Sequence, residues 1–208
     1  MKQLTLGILA SGRGSNFQAI VEAIENGRLD AKAALLVSNN ADANALEIAR
    51  AHAVPTAVIS RTDFETREAF IASFLSTLKK YGIDLIVLAG YMKKVPSEVI
   101  QTYRNRMINI HPALLPAFGG QGMYGARVHQ AVIDRGCKVT GVTVHIVDEI
   151  YDHGPIVAQR VVPVAEDDTV ETLSARVLQT EHVLYPEAIQ LFAQGKVEVK
   201  RGRAFIHT

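Results

Sequence analysis

The run Leu4-Thr-Leu-Gly-Ile-Leu-Ala10 is followed directly by Ser11-Gly-Arg-Gly14 and then by Ser15-Asn-Phe-Gln18. The first run is short and apolar and ends in glycine-rich turn residues, which is typical of a buried strand. The Ser-x-x-Gln spacing predicts a helix start with a capping box. Apolar residues then recur at helical spacing as far as Gly27. The stretch therefore predicts a strand, a tight turn and a helix, which is the opening unit of an α/β fold.

The same alternation continues along the first half of the chain. Further strands are predicted over residues 33–37, 54–59, 84–89 and 107–110, with helical stretches among them. This pattern favours a mostly parallel, Rossmann-like sheet with helices on both faces. In the second half, two long apolar strands over 138–147 and 156–164 are joined by a short polar link, which predicts an antiparallel extension. A long helix over 168–193 and a terminal hairpin over 197–206 complete the expected fold.

The composition is that of an ordinary soluble globule. Of 208 residues, 48% are hydrophobic and 21% charged, and we expect a single domain over residues 1–208. The formal charge of +1 argues against partners bound through bulk charge, so neither nucleic acid nor a membrane surface is expected. The single cysteine, Cys137, excludes an internal disulfide. Because no signal peptide and no apolar run of about 18 residues is recognised, a cytoplasmic location is expected.

The glycine-rich turn after the first strand is a candidate anion site. Unpaired backbone N–H groups and the helix dipole favour negative charge at a helix N-terminus. A dinucleotide is disfavoured, because Phe17 stands where a third glycine would be and the second strand ends in Ser38-Asn-Asn40 rather than in an acid. The Gly-Lys-Ser/Thr of nucleotide triphosphate loops is missing. A smaller phosphate monoester fits better; the alternative is an ordinary strand–helix turn without a ligand.

A second candidate site is the segment Met107-Ile-Asn-Ile-His-Pro112. Residues alternate between the two faces of a strand, so Asn109 and His111 share one face. Pro112 ends the strand and places both side chains at its carboxyl end, where open α/β sheets bind ligands. Asn can donate to a developing oxyanion, and His can act as an acid, a base or a charged donor. The alternative is an ordinary strand end with local hydrogen bonds.

The acidic loop Asp148-Glu-Ile-Tyr-Asp-His-Gly-Pro155 supports a catalytic interpretation. An aspartate from this loop is expected to orient His111 and to raise its pKa, since a nearby carboxylate favours the imidazolium. The alternative for the acids is a solvated turn. A metal site built from His145, His153 and these acids has no recognised ligand spacing, and no metal is expected.

Together these segments resemble the phosphoribosylglycinamide formyltransferase family, folate-dependent enzymes of purine synthesis. The resemblance covers nearly the whole chain in order. The motifs that carry it are Ser11-Gly-Arg-Gly-Ser-Asn16, Leu88-Ala-Gly-Tyr-Met92, Asn109-Ile-His-Pro-Ala-Leu-Leu-Pro116, Asp148-Glu-Ile-Tyr-Asp-His-Gly-Pro155 and Thr180-Glu-His-Val-Leu-Tyr-Pro186.

The resemblance implies a role for each motif. Transfer of a formyl group from the co-substrate 10-formyltetrahydrofolate to the amine of glycinamide ribonucleotide is implied, with Asn109, protonated His111 and Asp152 as the catalytic group. The residues implied for the ribonucleotide lie mostly in the N-terminal half and are Gly14, Ser15, Asn16 and Glu181. The residues implied for the folate are Arg67, Met92, Lys93, Lys94, Val95, Asn109, Asp148 and Asp152. A homodimer of this single formyltransferase domain is a possible assembly.

Three other functions stay open at this point. Two are folate formyl enzymes: a formyltetrahydrofolate hydrolase and an aminoacyl-tRNA formyltransferase. We expect neither the additional N-terminal domain of the hydrolases nor the additional C-terminal domain of the tRNA enzymes. The third is a non-catalytic nucleotide-binding module.

Two segments depart from the family pattern. Lys93-Lys94 stands where the family more often has Arg followed by an apolar residue, and Lys cannot make the bidentate carboxylate contact of Arg. Residues 117–125 are longer and richer in glycine than the common turn there, which is consistent with a mobile flap or with a longer surface loop.

Overall fold

The protein is described from a computed structural model that covers residues 3–207, and the chain divides into two compact units. The first unit ends at Ile108, and the second begins at Asn109. The helices and strands of the first unit are β1 (Leu4–Leu9), α1 (Ser15–Glu25), β2 (Ala31–Ser38), α2 (Asn44–Ala51), β3 (Thr56–Val58), α3 (Arg67–Lys80), β4 (Leu85–Leu88) and α4 (Ser97–Thr102). A further strand, β5 (Met107–His111), begins in the first unit and ends in the second.

The strands of the first unit are parallel and follow the order β3-β2-β1-β4. The connections β1-α1-β2 and β3-α3-β4 cross the sheet in opposite directions. Because such crossovers are right-handed, α1 and α3 cover opposite faces. The sheet is buried on both faces, as the fully buried Ile8 and Ile86 illustrate. The loops after β1 and β4 leave the sheet where the strand order reverses, which is where open α/β sheets bind ligands.

The second unit combines an antiparallel strand pair with helices. It contains α5 (Ala126–Asp134), β6 (Val139–Ile146), β7 (Ile156–Pro163), α6 (Val170–Ala193) and the hairpin β8 (Val197–Lys200) and β9 (Arg203–Ile206). The strands β6 and β7 are antiparallel, and α6 packs against both of them and against α5. The loop joining β6 to β7 is therefore a hairpin connection, and it carries the acidic motif.

The expected fold class is confirmed: a parallel α/β sheet with helices on both faces is followed by an antiparallel extension. The third strand is shorter than predicted, Thr56–Val58 instead of 54–59. One reason is that the Val54 N–H donates to the Ala49 carbonyl and so belongs to the end of α2. Among residues 3–207, no helix is long and apolar enough to cross a membrane.

Candidate functional site

Four polar side chains of the second unit meet at one place, and we call them the polar cluster: Asn109, His111, His145 and Asp152. Asn109 and His111 come from the end of β5, His145 from β6, and Asp152 from the β6–β7 loop. His111 and His145 are 3% and 2% exposed. Asn109, His111 and Asp152, which the sequence singled out, are thus brought together by the fold.

The distances within the cluster distinguish hydrogen bonds from looser charge contacts. Asn109 Nδ2 lies 3.2 Å from His145 Nε2. Asp152 Oδ2 lies 3.5 Å from His111 Nδ1, and Asp152 Oδ1 lies 3.6 Å from His145 Nε2. The last two distances are beyond ordinary hydrogen bonds. Asp152 therefore acts on both rings mainly through its charge.

Backbone carbonyls determine which ring nitrogen carries the proton in each neutral histidine. His111 Nε2 lies 2.8 Å from the Phe118 carbonyl, which can only accept, so Nε2 carries the hydrogen. The unprotonated Nδ1 of neutral His111 then faces Asp152. By the same argument, His145 Nδ1 donates to the Ile146 carbonyl at 3.0 Å. Its bare Nε2 accepts from Asn109, which fixes the orientation of that amide.

The electrostatics of His111 differ from the sequence-based expectation. Burial lowers the pKa of His111 below its usual value, although the Asp152 charge and the Phe118 carbonyl both act to raise it. The expectation that the pKa is raised is therefore wrong in its net direction. The cause is desolvation, which disfavours the imidazolium more than one carboxylate at 3.5 Å favours it. The resting protein holds His111 neutral at pH 7.

Asp152 remains a carboxylate in this buried setting. Burial alone would raise the pKa of Asp152, but the combined effect of His145, His111 and the Gly120 N–H is larger and lowers it. The Gly120 N–H donates to Asp152 Oδ2 at 2.9 Å. A negative charge is thus maintained beside the two imidazole rings.

The loop after Pro116 contacts the cluster through its backbone. Phe118 accepts from His111, and Gly120 donates to Asp152. A Cβ on Gly119 would lie 2.5 Å from Leu115 Cδ2 and 3.2 Å from the Asp152 Cβ. Only glycine allows the backbone to approach this closely. Gly119 therefore has a packing reason, whereas a Cβ on Gly120, Gly122 or Gly125 would meet nothing within 4 Å. The flap interpretation of 117–125 stays a prediction.

His145 is the member of the polar cluster that the sequence reasoning missed, since it considered this residue only as a metal ligand. A usable signal exists: Thr143 and His145 are polar, are both buried, and lie on one face of β6. No group of three or more His, Cys, Asp or Glu in residues 3–207 is arranged to hold a metal ion.

The glycine-rich loop of the first unit is held against the start of α2. Gly14 has φ +79°, and a Cβ there would lie 2.8 Å from the Ala45 Cα. The Ala45 N–H donates to the Gly12 carbonyl at 3.0 Å, and Asn44 Nδ2 donates to the Arg13 carbonyl at 3.0 Å. Glycine at position 14 satisfies both the left-handed conformation and the close approach.

The expected capping box at the start of α1 is wrong. Gly14 is the N-cap, and no side chain caps this helix. Because the left-handed turn at Gly14 brings Ser15 and Asn16 into the first turn, Ser15 is already helical and cannot cap. An uncapped helix start favours a bound anion, and the anion site stays a prediction.

The residues implied for the folate occupy several places. Arg67 begins α3 and forms a bidentate ion pair with Glu98, at 2.6 and 2.8 Å. Residues 92–95 follow β4; Met92 is exposed and Val95 is buried. Asp148 accepts from the Ile150 N–H and pairs with His153 at 2.7 Å. For the ribonucleotide, the implied Glu181 lies on α6 and is buried.

The sequence of residues 5–189 matches the family described as formyl transferase. The chain belongs to the formyl transferase family. Among curated members, "Phosphoribosylglycinamide formyltransferase, chloroplastic" of Vigna unguiculata is 41% identical over 197 residues, which are 95% of this chain and 63% of that protein. This family member therefore spans less than two thirds of the plant relative's length.

Two bacterial relatives match over most of both chains. "Phosphoribosylglycinamide formyltransferase" of Bacillus subtilis (strain 168) is 40% identical over 183 residues, covering 88% of this family member and 91% of the relative. The crystal structure of glycinamide ribonucleotide transformylase 1 from Symbiobacterium toebii superposes with a TM-score of 0.93 at 41% identity. That match covers 99% of this chain and 95% of the other.

Proposed function

We propose that this chain transfers the formyl group of 10-formyltetrahydrofolate to the amine of 5-phosphoribosylglycinamide in de novo purine biosynthesis. The products are the N-formyl ribonucleotide and tetrahydrofolate. The observation that carries the proposal is the polar cluster, in which a carboxylate, a neutral imidazole with a bare Nδ1 and an oriented amide meet in a buried place. Relatives named for this activity support the choice of substrates.

The first step is direct attack of the amine nitrogen on the formyl carbon. The carbonyl π electrons move to oxygen, and the tetrahedral intermediate carries an oxyanion and an ammonium. Asn109 directs one amide hydrogen to His145. Its second amide hydrogen is assigned to the oxyanion. A donor fixed in advance in a buried site stabilises this charge without reorganisation.

His111 supplies the proton transfer. Its bare Nδ1 accepts the proton that the attacking amine loses. The imidazolium that forms then donates a hydrogen bond to the oxyanion. The Asp152 charge at 3.5 Å stabilises the imidazolium as it develops. Collapse of the intermediate breaks the bond from the formyl carbon to the folate nitrogen, and that nitrogen takes up the proton from His111. Protonated His111 is thus a state of the reaction rather than of the resting protein.

Binding of the ribonucleotide is assigned to the glycine-rich loop and to α6. The backbone N–H groups of Gly14, Ser15 and Asn16 would hold the phosphate at the uncapped start of α1. Glu181 would contact the same substrate. A carboxylate suits the hydroxyl and amine groups of a sugar–amine ligand, since it accepts hydrogen bonds from both.

Binding of the folate is assigned to residues that follow β4 and to the β6–β7 loop. Met92, Lys93, Lys94 and Val95 are assigned to the pterin and tail, and so are Asp148 and Asp152. Arg67 would meet the tail carboxylate, for which it must exchange its partner Glu98. In this proposal the whole chain works as one formyltransferase domain.

The test is a turnover assay with purified protein, 10-formyltetrahydrofolate and glycinamide ribonucleotide. Formylated ribonucleotide formed only when both substrates are present supports the proposal. Formate release without the amine would indicate a hydrolase, formylation of aminoacyl-tRNA alone a tRNA enzyme, and ligand binding without turnover a non-catalytic module. His111→Gln should abolish product formation, whereas His52→Gln, which removes a ring at the C-terminal end of α2 that pairs with Glu25, should not.

A cytoplasmic location and a homodimer stay predictions. Sedimentation at micromolar concentration tests the second, since a dimer doubles the mass of 22.7 kDa.

A further inference from the structure

Ser11 connects two loops of the first unit through every polar atom that it has. Its N–H donates to the Gly90 carbonyl at 3.1 Å, and its carbonyl accepts from Asn40 Nδ2 at 3.4 Å. Its hydroxyl donates to Asn39 Oδ1 at 2.5 Å and accepts from the Met92 N–H at 2.8 Å. The partners thus come from the end of β2 and from the loop after β4.

The hydroxyl is the central atom of this arrangement. A serine hydroxyl has one hydrogen and two lone pairs. Its hydrogen is used for Asn39, so a lone pair receives the Met92 N–H. The result is a directed chain from Met92 through Ser11 to Asn39, in which each bond polarises the next. A methyl group in place of the hydroxyl breaks both bonds at once.

Because of the position of Ser11 in the sequence, these hydrogen bonds have a consequence for ligand binding. Ser11 directly precedes the loop whose residues Gly14 to Asn16 are assigned to the phosphate, and its hydroxyl holds the backbone of Met92, which begins the segment assigned to the folate. Gly12 and Gly14 flank Arg13, and the side-chain contact to this residue is that of Asn44, whose Nδ2 donates to the Arg13 carbonyl at 3.0 Å. Ordering of either segment therefore orders the other through one oxygen atom.

We propose that Ser11 is a positioning residue that couples the binding of the phosphate-bearing substrate to the binding of the folate. This inference rests on the proposed function, since it takes both ligands from it. Ser11 touches neither ligand and is not assigned a chemical step. The coupling is reciprocal: each ligand raises the affinity for the other by the same factor.

The coupling can be measured without turnover, because tetrahydrofolate has no formyl group to transfer. Calorimetric titration gives the Kd of tetrahydrofolate without and with saturating glycinamide ribonucleotide. We expect the ribonucleotide to tighten tetrahydrofolate binding about tenfold in the natural protein. In Ser11→Ala the factor should fall to about one, and Ser11→Thr, which keeps the hydroxyl, should restore it.

Ser38→Ala is the matched control. Ser38 is a buried serine at the end of β2 whose hydroxyl also makes two hydrogen bonds, but both stay within the Ser38–Asn40 turn. This variant loses as many bonds as Ser11→Ala without breaking the link to Met92. It should keep the full coupling factor. A loss of coupling equal to that of Ser11→Ala would reduce the role of Ser11 to general support of the loop and overturn the inference.

The remaining outcomes separate this inference from the proposed function. If the natural protein binds neither ligand, the proposed function fails. If it binds both and Ser11→Ala keeps the coupling factor, only the role of Ser11 fails. Should Ser11→Ala not fold, Asn39→Ala removes the acceptor at a half-buried position and leaves Ser11 in place. Its coupling factor should then fall by more than half, and an unchanged factor would contradict the inference.

Discussion

The imidazole of His111 is anchored through Nε2 and presents Nδ1 to the Asp152 carboxylate. Burial favours the neutral ring, and the carboxylate favours the charged one. Because burial and the carboxylate act on the ring in opposite directions, it accepts a proton readily when negative charge develops nearby. At the scale of single residues, the proposed chemistry depends on this balance.

Replacement of Asp152 by Asn tests the balance directly. Asp152→Asn keeps the shape but removes the charge, so the pKa of His111 should fall further below its usual value. The kcat should fall about a hundredfold, or about 2.7 kcal/mol in barrier, while KM changes much less. NMR titration of the His111 ring in both proteins measures the first effect. Asp134→Asn on α5 is the control, and an unchanged pKa of His111 in Asp152→Asn would remove Asp152 from the mechanism.

The assignment of Arg67 to the folate carboxylate is tested through its present partner. Glu98→Gln releases Arg67 from a bidentate ion pair, so the KM for the folate should fall about two- to fivefold, as for loss of an exposed competing ion pair. Glu47→Gln breaks a comparable pair with Arg50 on α2 and should leave that KM unchanged. A KM that rises or does not move in Glu98→Gln would place Arg67 outside the folate site.

At the scale of elements, close backbone approach shapes both candidate sites. Gly14 lets the first loop rest on α2, and Gly119 lets the loop after Pro116 rest on Asp152. In each case a loop reaches its position because one residue has no side chain. The packing of loops against elements, rather than the strands alone, therefore determines where the polar groups point.

Gly14→Ala should disturb the loop more than a comparable glycine replacement elsewhere. A left-handed backbone costs Ala about 1–2 kcal/mol, and here the new Cβ also meets Ala45 at 2.8 Å. We expect affinity for the ribonucleotide to fall at least tenfold by calorimetry. Gly82→Ala has a similar φ of +61° but open space around its Cβ, so it carries the strain without the collision and should keep the affinity. Equal affinities in the two variants would contradict the phosphate assignment.

At the scale of the whole molecule, buried histidines make stability depend on pH. Burial lowers the pKa of both His111 and His129 below their usual values. Between the folded and unfolded pKa values the unfolded chain therefore binds more protons, so the free energy of unfolding rises with pH there. This contribution is complete above about pH 6.5 and is lost as pH falls below it.

Urea unfolding at pH 8.0 and pH 5.5 measures the effect. The natural protein should be less stable at pH 5.5, and His129→Leu should show a smaller difference between the two pH values. His129 is 3% exposed, and its Nδ1 has no hydrogen-bond partner among residues 3–207, so an apolar replacement removes a titrating group without breaking a bond to that atom. His52→Gln is the control on a more exposed, ion-paired histidine. An identical pH dependence in His129→Leu and the natural protein would contradict the argument.

The sequence by itself determined the fold class and the location of the candidate sites along the chain. Apolar periodicity and turn residues depend on neighbours within a few positions, so they predict strands, helices and the ends where ligands bind. The alternation around Asn109 and His111 and the glycine-rich turn before Ser15 were readable for this reason. Even here, the choice between Ser15 and Gly14 as the N-cap required the backbone conformation.

Only the tertiary structure decided what the polar groups do to one another. The place of His145 in the polar cluster, the approach of Gly119 to Asp152 and the link from Ser11 to Met92 join residues distant in sequence. The proton position on His111 depends on how the loop folds the Phe118 carbonyl back onto the ring. The direction of the His111 pKa shift is the clearest case, because a charged partner was visible in the sequence whereas the depth of burial was not. Desolvation depends on all the atoms that pack around a group, and the local sequence pattern does not show which atoms those are.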